Sequence, residues 1–356
     1  MRLIDVVTME MVSFTINLKS LQDEHPYAIL SHTWGEDEVS FQDYHGPKRE
    51  SMKGFAKIKA CCMQAMKDGI AWAWIDTCCI DKKDSAELSE AINSMYAWYR
   101  ESAVCYTILD DVPPRSPSFP DVEFRTARWF TRGWCLQELL APRKVEFYAS
   151  DWSELGTKWS LSNTIKEITG IPHDALCHDR PLSDFPAAER MSWASNRKTS
   201  RSEDVAYCLL GIFDVNMPLM YGEGKKSFTR LQMEILKEKE DYSLLLHKGD
   251  LRGTYGRHIP GGSALALSPD QFDQLAFTTL SYESYNYRSL YAISSSQLRL
   301  PTRIAREMMA RNAPYMTSKG LRIQLLTLRA EQYPALDSDS ILVWTEFMHN
   351  EQMHLK

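Results

Sequence analysis

The 356-residue sequence contains no C-x-x-C pair, no apolar run of membrane-spanning length and no excess of basic residues. The first absence argues against a zinc ribbon or a redox dithiol. The eight cysteines, two pairs of them adjacent (Cys61-Cys62 and Cys78-Cys79), form no recognisable disulfide framework and read as reduced, buried, small apolar residues. The second excludes a spanning helix, which needs about 18 or more apolar residues. A secretory leader is not expected either, because Asp5 and Glu10 interrupt the start. The third follows from a formal net charge of -6 and gives no footprint for nucleic acid. A phosphate loop is also missing. Gly222-Glu223-Gly224-Lys225-Lys226-Ser227 resembles one, but the position that requires Gly is Leu219 and the position that requires Ser or Thr is Lys226. Lone His and scattered acids supply no metal site. What remains is a cytoplasmic globular protein of ordinary composition, 44% hydrophobic and 25% charged, long enough for two or three domains.

Within it, short apolar runs alternate with helical patterns. A possible strand around Val12–Leu18 precedes a buried strand, Tyr27-Ala28-Ile29-Leu30, which runs into Ser31-His32-Thr33-Trp34-Gly35 and the acidic loop Glu36-Asp37-Glu38. Phe55, Ile58, Cys62 and Met66 recur at helical spacing until Gly69. Ala71–Ile75 is a second strand, closed by Asp76; Ser85 or Asp84 caps a helix with Leu88, Ile92, Met95 and Tyr99 on one face. Val104–Leu109 is a third strand, and the four prolines between Val112 and Pro120 make a loop. A helix around Glu138 and a fourth strand, Lys144–Ala149, follow. This alternation predicts an α/β domain over residues 1–150 with a parallel, doubly wound sheet. Ligands of such sheets bind at the carboxyl ends of the strands, where Ser31 to Gly35, Asp76 to Asp81 and the loop leading to Glu138 converge.

Residues 151–245 read as mainly helical: a short helix from Trp159 to Ile168 ended by Gly170, a helical run at Arg190–Ala194, a capping box of Ser200 and Glu203 ahead of Val205, Ala206, Leu209 and Leu210, and a helix from Lys226 to Asp241. Residues 246–356, richer in Gly, Ser, Thr and Tyr, read as a β-containing tail with alternation at Gly320–Leu325. On a helix Trp134 and Glu138 share a face, as an indole and a carboxylate lining a cleft would, or as part of an ordinary amphipathic helix whose acid is solvated. A cysteine nucleophile at Cys78 or Cys79 with His32 as base is the weaker alternative chemistry.

Three blocks, Tyr27–Gly35, Trp74-Ile75-Asp76-Thr77-Cys78-Cys79-Ile80-Asp81 and Arg132-Gly133-Trp134-Cys135-Leu136-Gln137-Glu138-Leu139, resemble in order and spacing the signature blocks of the fungal heterokaryon incompatibility (HET) domain. The likeness covers residues 1 to 245 well and the tail weakly. It implies a vegetative incompatibility protein that triggers cell death; the nucleotide-binding oligomerisation module and WD repeats of larger members are not seen here. A more distant resemblance joins Trp134-Cys135-Leu136-Gln137-Glu138 to the W-x-x-x-E element of TIR domains, which are flavodoxin-like parallel sheets. Many TIR domains cleave NAD, and the Glu of that element is catalytic.

The resemblance therefore implies a TIR-like fold with NAD as substrate, no separate cofactor and Glu138 as the catalytic residue. The substrate would contact Ser31, His32, Trp34, Gly35, Asp76 and Trp134. Residues 77–86 fall where TIR domains carry a loop over the site. Trp34 and the Cys78-Cys79 pair depart from the TIR pattern. Self-association and an upstream trigger protein are the implied partners. The rival reading makes the three blocks a self-association surface that recruits a separate death effector.

Overall fold

The computed structural model describes residues 1–15, 22–239, 241–245, 247 and 265–272, with the backbone of 315–317, 320–322, 326–329 and 341–344. Its centre is a sheet of seven strands: β1 (Arg2–Asp5), β2 (Met11–Ser13), β3 (Tyr27–His32), β4 (Trp72–Trp74), β5 (Val104–Ile108), β6 (Val145–Tyr148) and β7 (Glu154–Thr157), in the order β2-β1-β4-β3-β5-β6-β7. The inner four, β4-β3-β5-β6, are parallel. Counted among themselves, their order is 2-1-3-4, and the chain reverses direction of winding at β3 and β5, the position where doubly wound sheets open their ligand crevice. All six residues of β3 are buried, as the middle strand of a sheet covered on both faces requires.

The sheet is not wholly parallel, as the alternation alone predicted. β1 pairs antiparallel with β4 and with β2, and β7 pairs antiparallel with β6. The connections explain this. Five residues separate β1 from β2 and β6 from β7, too few for the crossover a parallel pair needs. The sheet thus runs past the boundary expected at 150, because Ala149–Ser153 is a tight turn whose Trp152 sits at φ 65. The expected strand at Val12–Leu18 is the shorter β2, and residues 16–18 lie outside the described ones.

Strand alternation sorts the helices onto two faces. Helix Lys53–Lys67 lies on the face of Leu30, His32 and Tyr106; the Tyr106 hydroxyl donates to Asp68 just past its end. Met66 is 48% exposed, and the buried stripe is Phe55, Ile58, Cys61, Cys62 and Ala65. Helix Ser85–Arg100 lies on the face of Tyr27, Ile29 and Ser31: the Tyr27 hydroxyl donates to the Trp98 carbonyl at 2.5 Å. Asp84 caps it, accepting from the amides of Ala86 at 2.9 Å and Glu87 at 3.2 Å. The same face holds the short helix Cys135–Leu140, every residue of which is buried.

Beyond the sheet, short helices (Ser162–Thr169, His173–Leu176, Ala187–Ser192, Asp204–Tyr207 and Leu210–Phe213) precede a longer one, Lys226–Glu238. Gly170, at φ 70, ends the first of these. The expected capping box does not form. Glu203 instead accepts the amides of Gly222 (2.8 Å) and Gly224 (3.0 Å), which holds its carboxyl down at about 2 and pins the Gly222–Gly224 turn to the helix start. This unit makes two close approaches to the elements that cover the sheet. A Cβ on Gly211 would sit 2.0 Å from the Tyr96 Cβ, and one on Gly133 2.5 Å from the Thr199 methyl. Gly133 donates its amide to the Lys198 carbonyl at 2.9 Å. In the tail, Tyr315–Thr317 pairs with Gly320–Arg322 and Leu326–Arg329 with Ile341–Trp344, both antiparallel. The rest of 246–356, residues 247 and 265–272 aside, lies outside the described residues. Among the described residues no helix is long and apolar enough to cross a membrane.

Candidate functional site

Ser31 is the last residue of β3 on the Cys135–Leu140 face, and Glu138 lies one turn into that helix. The serine hydroxyl donates to Glu138 Oε2 and accepts from the indole Nε1 of Trp129 at 2.7 Å. Trp129 is held by edge contacts with Phe130 and Phe147. Ser31 is 0% and Glu138 8% exposed. Burial pushes the Glu138 carboxyl up to about 8; the Ser31 hydrogen bond and the charge of Arg132 pull against this, and Asp76 adds to it. A buried carboxyl at the reversal point of the sheet, titrating near neutrality, has the character of a functional group.

Asp76 follows β4. Its Oδ2 accepts from the Trp34 indole at 3.1 Å and lies 3.6 Å from the Lys82 ammonium. That ammonium stands 3.6 Å from the centre of the Trp34 ring. Trp34 is 46% exposed, so its indole is open to solvent beyond the carboxyl end of β3, with a cation on its face and a carboxylate beside it. Burial holds the Lys82 ammonium below its usual range. Gly35 donates its amide to Glu38 Oε1 at 2.7 Å, closing the loop after β3.

The expected contact residues divide. Ser31, Asp76, Trp34 and Glu138 belong to one region at the carboxyl ends of β3 and β4. His32 does not join Ser31, because consecutive strand residues point to opposite faces. It faces Glu38 at 3.7 Å, and Lys57 also pairs with Glu38, whose carboxyl falls to about 2 through those partners and the Gly35 amide despite its burial. Neither ring nitrogen of His32 makes a hydrogen bond. Trp134 turns away as well. It begins the helix, and its indole donates to Asp204 Oδ2 at 3.2 Å, with Tyr221 donating to the other oxygen at 3.0 Å. Trp134 thus ties the helix that carries Glu138 to the helical unit. Trp129, which orients Ser31, escaped the sequence reading, and Arg132, the cation acting on Glu138, stood in the third block without a role assigned to it. Spacing gives no signal for Trp129.

The cysteine alternative has no geometry behind it. Cys79, 3% exposed, accepts from the Ile75 amide at 3.4 Å, and Cys78 is fully buried with its thiol pushed up by that burial. All eight cysteines are free.

Comparison with known proteins agrees with the first two of the three blocks. Residues 27–119 match the family model of the heterokaryon incompatibility protein (HET). Over 242 residues the chain is 49% identical to vegetative incompatibility protein HET-E-1 of Podospora anserina, a match that covers 65% of this chain and 17% of that protein. No solved structure matches. The family model covers the segment that builds β3, β4 and β5: residues 27–119 are similar to the heterokaryon incompatibility (HET) domain, and the chain spans 17% of the length of the Podospora protein it matches.

Proposed function

We propose that this chain acts in vegetative incompatibility and that its HET domain does so by cleaving the nicotinamide–ribose bond of NAD. The observation that carries the reading is Glu138: a buried carboxyl, oriented by Ser31 and Trp129, at the reversal point of a 2-1-3-4 parallel sheet. The flavodoxin-like strand order and the W-x-x-x-E spacing make the TIR-like reading consistent with that position. The name of the Podospora relative supports the biological half of the proposal.

The chemistry requires little of the protein. The C1′–N bond breaks with its electron pair moving to the nicotinamide nitrogen, which neutralises a cationic leaving group, so no general acid is needed. The ribose develops oxocarbenium character, as in glycoside hydrolysis. Glu138 as carboxylate stabilises that charge. Water then adds at C1′ and loses a proton, giving ADP-ribose. In the free protein burial keeps Glu138 protonated at neutral pH, so a cationic substrate must help expel that proton. The Trp34 face, with Asp76 beside it, is built to hold a cation, and Lys82 occupies it when no substrate is bound. Lys82 belongs to the 77–86 segment and must swing aside to admit the ring.

The test in cells is to express the chain from an inducible promoter and measure the NAD pool. The expected result is a fall in NAD that precedes death and is absent with Glu138→Gln. Death with an unchanged NAD pool would favour the effector-recruiting reading.

A further inference from the structure

A cavity of about 770 Å³ opens between helix Ser85–Arg100, the end of helix Cys135–Leu140 and the helical unit. It is of the size that holds small molecules. Its walls carry five permanent cations, Arg100, Arg143, Arg180, Arg190 and Lys239, against two carboxylates, Asp214 and Asp241. Two cations and both carboxylates are already engaged. Arg100 pairs with Glu101 at 2.7 Å and Lys239 with Asp214 at 3.3 Å. Asp241 accepts the Ala187 amide at 2.7 Å and the Ser243 amide and hydroxyl. Arg143, Arg180 and Arg190 make no ion pair among the described residues.

Arg190 is the unusual one. It is 5% exposed, and buried charges are ordinarily paired. Its Nη1 donates to the Ile212 carbonyl at 2.9 Å and its guanidinium lies 4.6 Å from the centre of the Phe213 ring, but its Nε is buried without a hydrogen-bond partner. Glu189 and Asp241 act on it only from beyond ion-pair distance. Two of the wall residues, His178 at φ 61 and Asp214 at φ 52, hold left-handed backbone, a strain that collects at functional positions.

We propose that this cavity is a second ligand site that takes a small organic phosphate, its phosphoryl oxygens on Arg143, Arg180 and Arg190 and its organic part against Tyr96 and Leu182. Planar arginine forks match phosphate oxygens in a way a lone ammonium does not. The site is separate from the Glu138 cleft and does not depend on what that cleft does.

Calorimetric titration of the full chain with ADP and with inorganic pyrophosphate tests it. ADP is expected to bind more tightly than pyrophosphate. Arg143→Glu, an exposed position where folding is not at risk, is expected to weaken ADP by about tenfold or more, and Arg190→Lys, which keeps the charge but loses the fork, to weaken it also. Circular dichroism separates a misfolded Arg190→Lys protein from a binding defect. Two results would each overturn the proposal: no heat with either probe at millimolar concentration, or ADP binding unchanged by Arg143→Glu.

Discussion

Glu138→Gln should make the protein more stable, and by an amount that depends on pH. The folded protein holds this carboxyl at about 8, far above the value of 4.5 usual for a glutamate. Below about pH 4 both folded and unfolded chains carry the proton, and the buried site costs nothing. As pH rises towards 8 the unfolded chain gives up its proton and the folded chain does not, so stability falls. At pH 7 the lag is about 2.5 pH units, worth roughly 3 kcal/mol at 1.36 kcal/mol per unit. Gln has nearly the shape of the protonated acid and its side-chain oxygen still accepts from Ser31, so the variant should lose this cost and little else. Thermal denaturation followed by circular dichroism should show nearly matching midpoints below about pH 4 and a gain on the order of 5–10 °C for Glu138→Gln at pH 7.5. A pH-independent difference would refute the argument, as would a variant that loses stability relative to wild type as pH rises.

Other substitutions test neighbouring parts of the account. If Glu138 must ionise before it acts, kcat/KM for NAD should rise with pH and level off above about 8, the free-protein value; a flat profile from pH 6 to 9 would count against it. Lys82→Ala should lower KM for NAD about fivefold, because a cation–π contact worth about 1 kcal/mol no longer competes for Trp34, whereas a raised KM would make Lys82 a substrate contact. Trp129→Phe keeps the ring packing and removes the donor to Ser31, so urea denaturation should show a loss of about 1–3 kcal/mol. Gly211→Ala forces a methyl into the Tyr96 side chain and should lower stability by about 1–3 kcal/mol in the same assay; a neutral result would mean that this contact is loose.

The inner sheet was readable because each parallel strand is a continuous apolar run that ends in small polar residues, as at Tyr27–His32. The edge strands were not. Arg2–Asp5 is too short to show a period, and Glu154–Thr157 alternates around Gly156 without an apolar signature. For the site, the sequence placed Ser31 and Glu138 at converging ends, which chain order and topology largely fix. It also grouped His32 with Ser31, although a strand sends neighbours to opposite faces. Trp134 and Glu138 should share a face on an ideal helix, but Trp134 is the residue before the first full turn, and the Asp204 and Tyr221 network draws its indole towards the helical unit. Those partners lie about 70 or more residues further along the chain, a separation that local spacing does not encode.

The most direct test of the central claim is to incubate the purified chain with NAD and quantify free nicotinamide, for wild type and Glu138→Gln side by side, over a range of protein concentrations so that any need for self-association is met. The account expects nicotinamide release by wild type and a turnover reduced by about 100-fold or more for a folded Glu138→Gln protein that still binds NAD. Equal release from both proteins, or none from wild type at any concentration, would contradict it.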